Sequence, residues 1–471
     1  MTTATDVVNQ KHMSFKEIAA YSLGLFGFQA IVGLLNSYQA EFYGSILGAD
    51  LAVVGIIILA AKIVSAVFDP VVGNLIERKN GKHGKLKPFI LYSIVPLLVM
   101  TAVIFCPYIT FENKKILYIY IFITYLIWSL AMTLGDVPSQ GIAAVLTPNP
   151  TERTNVVSIA NTFKQIGFSA CVVVVPVICL LIPGGSKVFG YEGEKDDAMI
   201  GTEYFWTAIA TAVLGCVLFS LIFFWNKERV PYTSEKMTFG DMVKAFKDNK
   251  PLMLVIISYF LGFGRQMAMG IQVQAANVLL GSQNLVAVLG IVTAVGSMIS
   301  MAITPVLIKK MGERNVFLLM SLYGFAVSVG AYFVGTETKL MYVFLFLIGL
   351  QFGAVTLMPM IMTADCVDYY EYQTGKRTEG AAYAVLSLTI KVCLALGTAL
   401  GLVFVSKSGY SADVASFDAH TKNTVYFAYT AMPGIFSLLA AIPMFKYNLV
   451  GEKKKEIAAA LAQRRAEKED K

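Results

Sequence analysis

Long apolar runs, separated by short polar stretches, recur from one end of the chain to the other. Most are about 20 residues or longer, and about 20 residues is the length at which an α-helix spans the hydrocarbon core of a bilayer. The fold class expected is therefore an all-α polytopic membrane protein with 12 transmembrane helices. The predicted helices cover residues 17–40, 49–77, 88–107, 116–146, 157–182, 202–225, 252–280, 285–308, 316–335, 340–367, 381–405 and 425–447.

The longest inner polar stretch divides these helices into two sets of six. It predicts an N-terminal half (1–225), a central cytoplasmic loop (226–251), a C-terminal half (252–447) and a cytoplasmic tail (448–471). A weak repeat supports the division, because Asp69-Pro70, Gly73 and Glu77-Arg78 are echoed by Pro305 and Gly312-Glu313-Arg314. Two six-helix halves around a site at the membrane midplane are the plan of the major facilitator fold.

The positive charges predict the orientation of the chain. Of the 38 Lys and Arg residues, 27 lie in segments on the side of the two termini, 7 lie in the opposite loops and 4 lie within helices. Positive charges favour the cytoplasmic side, so both termini are expected in the cytoplasm and the chain in the inner cell membrane. The tail, rich in Lys, Glu, Ala and Arg, is expected to be a solvated or surface-lying helix without a role in transport.

Composition agrees with a lipid bilayer as the main environment. The chain is 56% hydrophobic and 15% charged, whereas soluble domains are about 45–50% apolar and about 25% charged. No basic stripe predicts nucleic-acid binding, and no CxxC pair predicts zinc or disulfides. The histidines His12, His83 and His420 lie in polar segments, and no nucleophile–base set or phosphate loop is present, so an enzyme is not expected. Neither a cofactor nor an obligate protein partner is expected.

Six charged residues lie within apolar runs, where each costs at least about 2.5–3.5 kcal/mol at a helix centre. Asp69 precedes Pro70, which leaves the Ala66 carbonyl without its helical hydrogen bond. A carboxyl beside a free carbonyl suits a proton or cation; the alternative is a salt bridge to the basic cluster Arg78–Lys87, two or more turns away. The six charged residues are Lys62, Asp69, Asp136, Lys164, Arg265 and Lys391.

The other charges have less distinct expectations. Asp136 repeats the Asp69 pattern with Pro138 behind it, and Lys391 is its expected counter-charge. Lys62, two turns before Asp69 on the same face, fits a structural partner or a functional group equally. Lys164 is expected to snorkel to the inner surface rather than contact substrate. For Arg265, a substrate anion and a helix carbonyl are equally good partners.

Several motifs together resemble the glycoside–pentoside–hexuronide:cation symporters, over essentially the whole chain. The matching residues in the N-terminal half are Phe42-Tyr43, Leu47-Gly48, Asp69-Pro70, Gly73, Gly84-Lys85-Leu86-Lys87-Pro88, Gly135-Asp136-Val137-Pro138 and Glu152-Arg153-Thr154. Those in the C-terminal half are Ala364-Asp365, Asp368-Tyr369, Glu371-Tyr372, Arg377, Glu379, Ala382-Tyr383 and Lys391. The resemblance implies a major facilitator fold and cation-coupled uptake of a sugar-like solute.

The resemblance also implies roles for particular residues. It assigns Asp69, Asp136, Thr133 and Lys391 to cation coupling, with Asp136 bridging to the sugar site. Ser65 is a further coupling candidate. Ser65 and Phe68 stand where melibiose-type members have an aspartate and an asparagine, so proton coupling is favoured over sodium. The candidate substrate residues are Gln29, Asp136, Gln140, Asn161, Lys164, Arg265 and Lys391, and the candidate gating or structural charges are Lys62, Arg78, Arg153, Asp365, Asp368, Glu371 and Arg377.

The function expected is a symporter that imports a sugar, glycoside or sugar acid by alternating access, driven by protons or, as the alternative, by sodium. A small solute, a coupling cation and the bilayer are its expected partners. The alternative function is a major facilitator carrier of a non-sugar, amphipathic organic anion. Gln29, in place of an acid, and the cations Lys164, Arg265 and Lys391 favour that alternative.

Overall fold

The structure is a computed structural model, and in the part of the chain that it describes every regular element is a helix. The chain divides into two compact units, one built mainly from residues up to Lys236 and the other mainly from Met237 onward. This division falls inside the predicted central loop, which itself holds a short helix, Phe239–Asp248. The described residues are 12–78, 84–147, 149–181, 197–229, 239–281, 286–335, 339–375, 379–411 and 416–469.

In its described residues, the first unit contains six helices. The first helix begins where Ser14 and Glu17 cap each other's backbone N–H groups, which satisfies donors that a helix start leaves open. The fourth begins at Asn113, whose side chain accepts from the Lys115 N–H. The six are α1 (Phe15–Ser45), α2 (Leu51–Arg78), α3 (Lys87–Ile104), α4 (Lys114–Leu146), α5 (Pro150–Leu181) and α6 (Asp197–Trp225).

Small residues allow α1 to pack closely against both α5 and α6. A Cβ atom at Gly27 would lie 2.6 Å from the Gly215 carbonyl oxygen of α6, and one at Gly33 would overlap the Phe168 carbonyl of α5. Close backbone approach of this kind is how helices associate in lipid, where burial of apolar area gives little driving force. Phe28 and Phe219 stack beside the contact with α6, with ring centroids 4.6 Å apart.

The second unit contains the remaining helices, and the segment predicted as one helix over 252–280 is broken in it. α8 ends at Leu261, a 3-10 turn covers Phe263–Gln266, and the chain continues after a bend of 46°. The helices are α7 (Phe239–Asp248), α8 (Lys250–Leu261), α9 (Met267–Gly270), α10 (Gln272–Leu280), α11 (Val286–Met311), α12 (Glu313–Val334), α13 (Leu340–Thr374), α14 (Glu379–Lys407), α15 (Ala419–Tyr426), α16 (Met432–Met444) and α17 (Gly451–Glu469).

The tail helix α17, expected to be solvated or surface-lying, packs one side on the second unit. Its Ile457 and Leu461 are 6% and 4% exposed and join a core formed by α8, α12, α13 and α14. Burying these two side chains explains why a segment of mainly polar composition has a fixed place. The prediction of a helix was correct, but polar composition did not reveal the apolar side it presents to α13.

Ten of the described helical segments are long and apolar enough to cross a membrane, or eleven if the broken pair Lys250–Leu261 and Phe263–Gly270 is one span. Each of the 12 predicted segments is mostly helical where the structure describes it. Among the described residues, the predicted segment 157–182 on α5 is not one of these spans. Apolar side chains such as Ile56, Val95 and Val217 lie exposed on these helices, as expected of lipid-facing surface.

Candidate functional site

In the first unit, two contacts fix how α2 lies beside α4. The Asp50 N–H donates to the Tyr118 hydroxyl at 3.3 Å, and the Ser65 and Thr133 hydroxyls lie 3.0 Å apart. Both pairs are separated by 68 residues, so the two helices run in the same direction with a constant offset. Residue 69 therefore comes level with residue 137, which places Asp69 and Asp136 at the same height, one turn past the Ser65–Thr133 contact.

Asp136 is buried, with 5% of its surface exposed, and two side chains from α4 and α5 accompany it. Gln140 Nε2 donates to its Oδ2 at 2.8 Å, and Lys164 Nζ lies 3.7 Å from its Oδ1. At that separation the Coulomb attraction is about 4–5 kcal/mol at an effective dielectric constant of about 20, before the cost of removing both charges from water. Lys164 thus provides a positive charge for Asp136, and its expected snorkelling to the inner surface stays a prediction.

The backbone around Asp136 is held by its neighbours. The Ser139 hydroxyl donates to the Asp136 carbonyl at 2.8 Å, and the Tyr21 hydroxyl of α1 donates to the Ser139 carbonyl at 3.1 Å. A Cβ at Gly135 would lie 2.8 Å from Ser93 Oγ of α3, so glycine permits close packing there. Pro138 within α4 lacks an N–H and so leaves the Leu134 carbonyl without its helical hydrogen bond.

Asp69 is half-buried on α2, and its Oδ1 is enclosed by protein. Its predicted partner Lys62 donates from Nζ to Asn36 Oδ1 of α1 at 3.0 Å, a contact that sequence spacing did not indicate. Ser65 is buried, and its hydroxyl lies within hydrogen-bonding distance of the Ser129 carbonyl and of Thr133. The structure therefore places Ser65, Thr133, Asp69 and Asp136 along the contact between α2 and α4.

The remaining substrate candidates of the first unit differ in exposure. Gln29 is half-buried on α1, whereas Gln140 and Asn161 are exposed. The Gln140 amide nevertheless reaches Asp136. Asn161 lies on α5 one turn before Lys164. An exposed amide and a buried ion pair on adjacent helices give this region both hydrogen-bonding groups and charge, the chemistry required to bind a polyhydroxyl solute.

In the second unit, Arg265 lies on the 3-10 turn between α8 and α9 and is 5% exposed. Its guanidinium carbon lies 5.6 Å from the centre of the Tyr259 ring, and its Nη1 has no hydrogen-bond partner. The sequence identified this residue as a buried charge, but the broken helix that carries it was not predicted. A fully buried amide, Gln274 on α10, also has neither side-chain nitrogen nor oxygen bonded, and sequence analysis did not single it out.

Lys391 is half-buried on α14. Its expected pairing with Asp136 would join the two units and stays a prediction. Within the first unit, Lys164 already provides Asp136 with a nearby positive charge. The sequence gave no way to choose between Lys164 and Lys391 as the partner of Asp136. The order of the helices along the chain does not show which helix packs beside α4.

One predicted structural charge belongs to a cluster with the tail. Lys454 Nζ of α17 donates to Asp365 Oδ2 of α13 at 2.8 Å and also to the Glu313 carboxylate of α12. Asp368 and Glu371 are half-buried on the same helix as Asp365, and Arg153 is exposed on α5. The Arg78 side chain and all of Arg377 lie outside the described residues.

Three buried or half-buried carboxylates in the first unit received no role in the sequence analysis, although Glu152 belongs to one of the matching motifs. Glu152 accepts from the backbone N–H groups of His12 and Met13, each at 3.0 Å, and from the Thr147 hydroxyl. Glu17 binds Arg229 at 2.7 Å. Glu228 accepts from the N–H groups at the start of α3, those of Lys85, Leu86 and Lys87. Their partners are mostly backbone groups far away in sequence, which no motif records.

Comparison with known proteins identifies the family. The family model described as MFS/sugar transport protein matches residues 20–451, most of the chain. The chain belongs to this family. The resemblance to the glycoside–pentoside–hexuronide:cation symporters is thereby confirmed, as is the expectation of a membrane transport protein rather than an enzyme.

Two relatives and one solved structure show how far the similarity extends. The glucuronide carrier protein homolog of Escherichia coli (strain K12) is 25% identical over 97% of each chain. The isoprimeverose transporter of Lactiplantibacillus pentosus is 27% identical over 95% of this chain and 91% of its own. The crystal structure of a D-xylose-proton symporter superimposes with a TM-score of 0.59 at 15% identity, covering 93% of this chain and 98% of that one. The last similarity confirms the predicted major facilitator fold.

Proposed function

We propose that this protein is a proton-coupled symporter that imports a sugar, a glycoside or a sugar acid. The observation that carries the proposal is the pair of aspartates that α2 and α4 bring level, with Lys164 beside one of them. Charged groups inside membrane helices are retained mainly for ion or proton pathways. The negative charge of these two carboxyls can be compensated in two ways, either by binding a proton or by an ion pair with Lys164. Switching between the two is what couples proton binding to a change at the site.

The chemistry follows from the contacts of Asp136. While the carboxylate is ionised, Lys164 Nζ at 3.7 Å and the Gln140 amide compensate its charge. A proton on either aspartate removes one negative charge, weakens the attraction for Lys164 and leaves its ammonium and the Gln140 amide available to solute hydroxyl groups. Solute and proton then favour each other's binding, which is the coupling that a symporter needs. Movement of two six-helix halves (1–225 and 252–447) about a midplane site would complete transport.

The groups next to Asp69 support a proton over sodium. A hard metal cation requires several oxygen ligands at once. One turn before Asp69, Ser65 offers a single hydroxyl, which already lies 3.1 Å from the Ser129 carbonyl and 3.0 Å from Thr133. Phe68, directly before Asp69, offers no oxygen at all. These two positions therefore add no further carboxylate or amide oxygen beside Asp69, and a proton needs only one oxygen ligand.

The solute class is supported by the family and its members. The family description is sugar transport, and the two relatives are named for a glucuronide and for isoprimeverose. The solved structure is titled as a symporter of D-xylose and protons. The distribution of Lys and Arg supports a location in the inner cell membrane with both termini in the cytoplasm.

The test is Asp69→Asn in proteoliposomes, with an imposed pH gradient and choline in place of sodium. Uphill accumulation of radiolabelled sugar should be lost, while exchange of internal for external sugar survives, because the neutral amide mimics the protonated carboxyl. Asp50→Asn is the matched control: Asp50 is exposed just before α2, and its Oδ1 accepts from the Ala52 N–H, as an asparagine oxygen also can. Undiminished accumulation by Asp69→Asn would refute the coupling role, and accumulation that required sodium would reverse the choice of ion.

A further inference from the structure

Two lysines of the first unit lie together at one end of α6 without an acid to pair with. Lys87, the first residue of α3, holds its Nζ 5.2 Å from the centre of the Phe223 ring. Lys227, just after the end of α6, is exposed and close enough to Lys87 for their positive charges to repel each other. Among the described residues, neither lysine has a carboxylate within salt-bridge distance.

Two described acids at this end of the unit are already bound. Glu228 attracts Lys87, but its carboxylate oxygens accept three backbone N–H groups at the start of α3, at 2.9 to 3.1 Å. Glu17, on α1, binds Arg229 at 2.7 Å. These contacts use the negative charges for capping and pairing, so an excess of positive charge remains at Lys87 and Lys227.

Apolar side chains lead away from the two lysines along the outside of α3 and α6. The helices run antiparallel, because Lys87 lies beside Phe223 and the Ile94 carbonyl accepts from Cys216 Sγ at 3.7 Å. On each helix the exposed apolar residues are spaced by four or seven positions, which places them on one face. They are Leu91, Val95 and Val99 on α3, and Val213, Val217 and Phe224 on α6.

The length of this apolar surface suits a lipid chain. From Lys87 to Val99 the helix rises about 18 Å, slightly more than one leaflet of a hydrocarbon core about 30 Å thick. The surface therefore has positive charge at one end and apolar side chains over the depth of one leaflet. A phospholipid with a net negative headgroup has the complementary arrangement.

We propose that this end of α3 and α6 binds an anionic phospholipid. The headgroup phosphate lies between the ammonium groups of Lys87 and Lys227, and an acyl chain lies along the exposed apolar side chains. Attraction between an anionic lipid and a lysine near the membrane surface strengthens binding about fivefold per lysine. In a zwitterionic lipid the positive headgroup cancels the phosphate charge, so the site prefers the anionic lipid. The inference depends on neither the solute nor the coupling ion.

The test measures lipid preference beside the lysines through tryptophan fluorescence. The chain has three tryptophans: Trp128 is buried, whereas Trp206 and Trp225 are exposed on α6. A full-length reporter carries Trp206→Phe, Trp225→Phe and Phe224→Trp, which places its exposed tryptophan beside Lys87. It is reconstituted in mixtures of phosphatidylglycerol and phosphatidylcholine, with one or the other lipid brominated on its acyl chains. Quenching by each brominated lipid gives the association constant of the anionic lipid relative to the zwitterionic lipid.

At low salt, the reporter should show at least about a fivefold preference for phosphatidylglycerol. Adding Lys87→Gln and Lys227→Gln should reduce the preference to less than about twofold, whereas Lys87→Arg with Lys227→Arg should retain it, because arginine also binds phosphate. Lys115→Gln is the matched control: Lys115 is exposed at the start of α4, near the other end of α3, and its loss should change nothing. The single variant Trp225→Phe reports instead from Trp206, about 27 Å away on the same face of α6, and should show less than about a twofold preference.

Three outcomes would overturn the inference. Equal quenching by both lipids, or a preference that survives loss of both lysines, would refute a role for Lys87 and Lys227 in binding lipid. If neither brominated lipid quenches the reporter, protein covers this face in place of lipid. If inorganic phosphate abolishes the preference while chloride at the same ionic strength does not, the lysines bind free phosphate and the lipid is not their ligand.

Discussion

Replacing Lys454 by methionine should loosen the tail helix from the second unit. Lys454 Nζ bonds the Glu313 and Asp365 carboxylates, whose side chains are 9% and 13% exposed, while its own is 37% exposed. Methionine keeps most of the apolar stem and removes the charge. The change therefore leaves two nearly buried carboxylates close together without a cation, which is less favourable than losing all three charges at once.

The size of the effect follows from these exposures. Removing one partner of a fully buried pair costs about 3–5 kcal/mol, whereas exposed pairs contribute about 0–1 kcal/mol. Because solvent screens Lys454, a loss of about 1–2 kcal/mol is expected. Burial lowers the pKa of Lys454, but the bonds to Asp365 and Glu313 outweigh it and raise the pKa above the usual 10.5. With both carboxylates ionised, the stabilisation is thus fully present at pH 7 and is lost as the pH rises above 10.5 through the higher folded-state value of Lys454.

The assay is thermal unfolding in nanodiscs at pH 7, where Lys454→Met should lower the apparent Tm by a few degrees. Lys455→Met, one position along on an exposed residue, should leave it unchanged. Adding Glu313→Gln and Asp365→Asn to Lys454→Met should restore much of the loss, because no buried charge then lacks a partner. Equal Tm values for the two lysine variants, or failure of the added changes to restore stability, would refute the reasoning.

Two further predictions concern other contacts. Burial raises the Glu152 pKa, but hydrogen bonds from Thr147, His12 and Met13 outweigh it and hold the pKa below the usual 4.5. Glu152→Gln should therefore speed hydrogen exchange of the His12 and Met13 amides at pH 7, with the gap from wild type closing as the pH falls below 4.5; a constant gap would refute this. A Cβ at Gly353 would overlap the Ser297 carbonyl, so Gly353→Ala should destabilise by about 1–3 kcal/mol, whereas Gly73→Ala, with open space, should not. Equal Tm values for the two would contradict the packing argument.

Much of the helical framework follows from apolar run length, because a bilayer demands long, internally bonded segments. The break before Arg265 did not follow. An apolar run shows only that its residues are kept from water. A straight helix and a bent helix give the same apolar run, so the run does not predict a break. Gly262 and Gly264 were the available signal, since a Cβ at Gly264 would overlap the Phe436 ring and the chain there must pass close to α16. Glycine is too common in this sequence for that signal to stand out.

The charged residues were easy to find in the sequence, but their partners were not. Asp136 stood out as an acid in an apolar run, whereas Lys164, 3.7 Å from it, looked like a residue at a membrane surface. Spacing along one helix shows which residues share a face. It contains no information about which helix lies opposite, and that choice is set by the packing of small residues such as Gly33 against α5.

The bridge from Lys454 also has a consequence for synthesis of the chain. Lys454 is made 141 residues after Glu313 and 89 residues after Asp365. At about 5–20 residues per second, the ribosome needs on the order of ten seconds to supply the cation after the second carboxylate. During that interval the two acids remain hydrated or protonated. The second unit thus completes its charge balance only when translation reaches the tail, and a prematurely terminated chain carries a pair of acids that a complete chain neutralises.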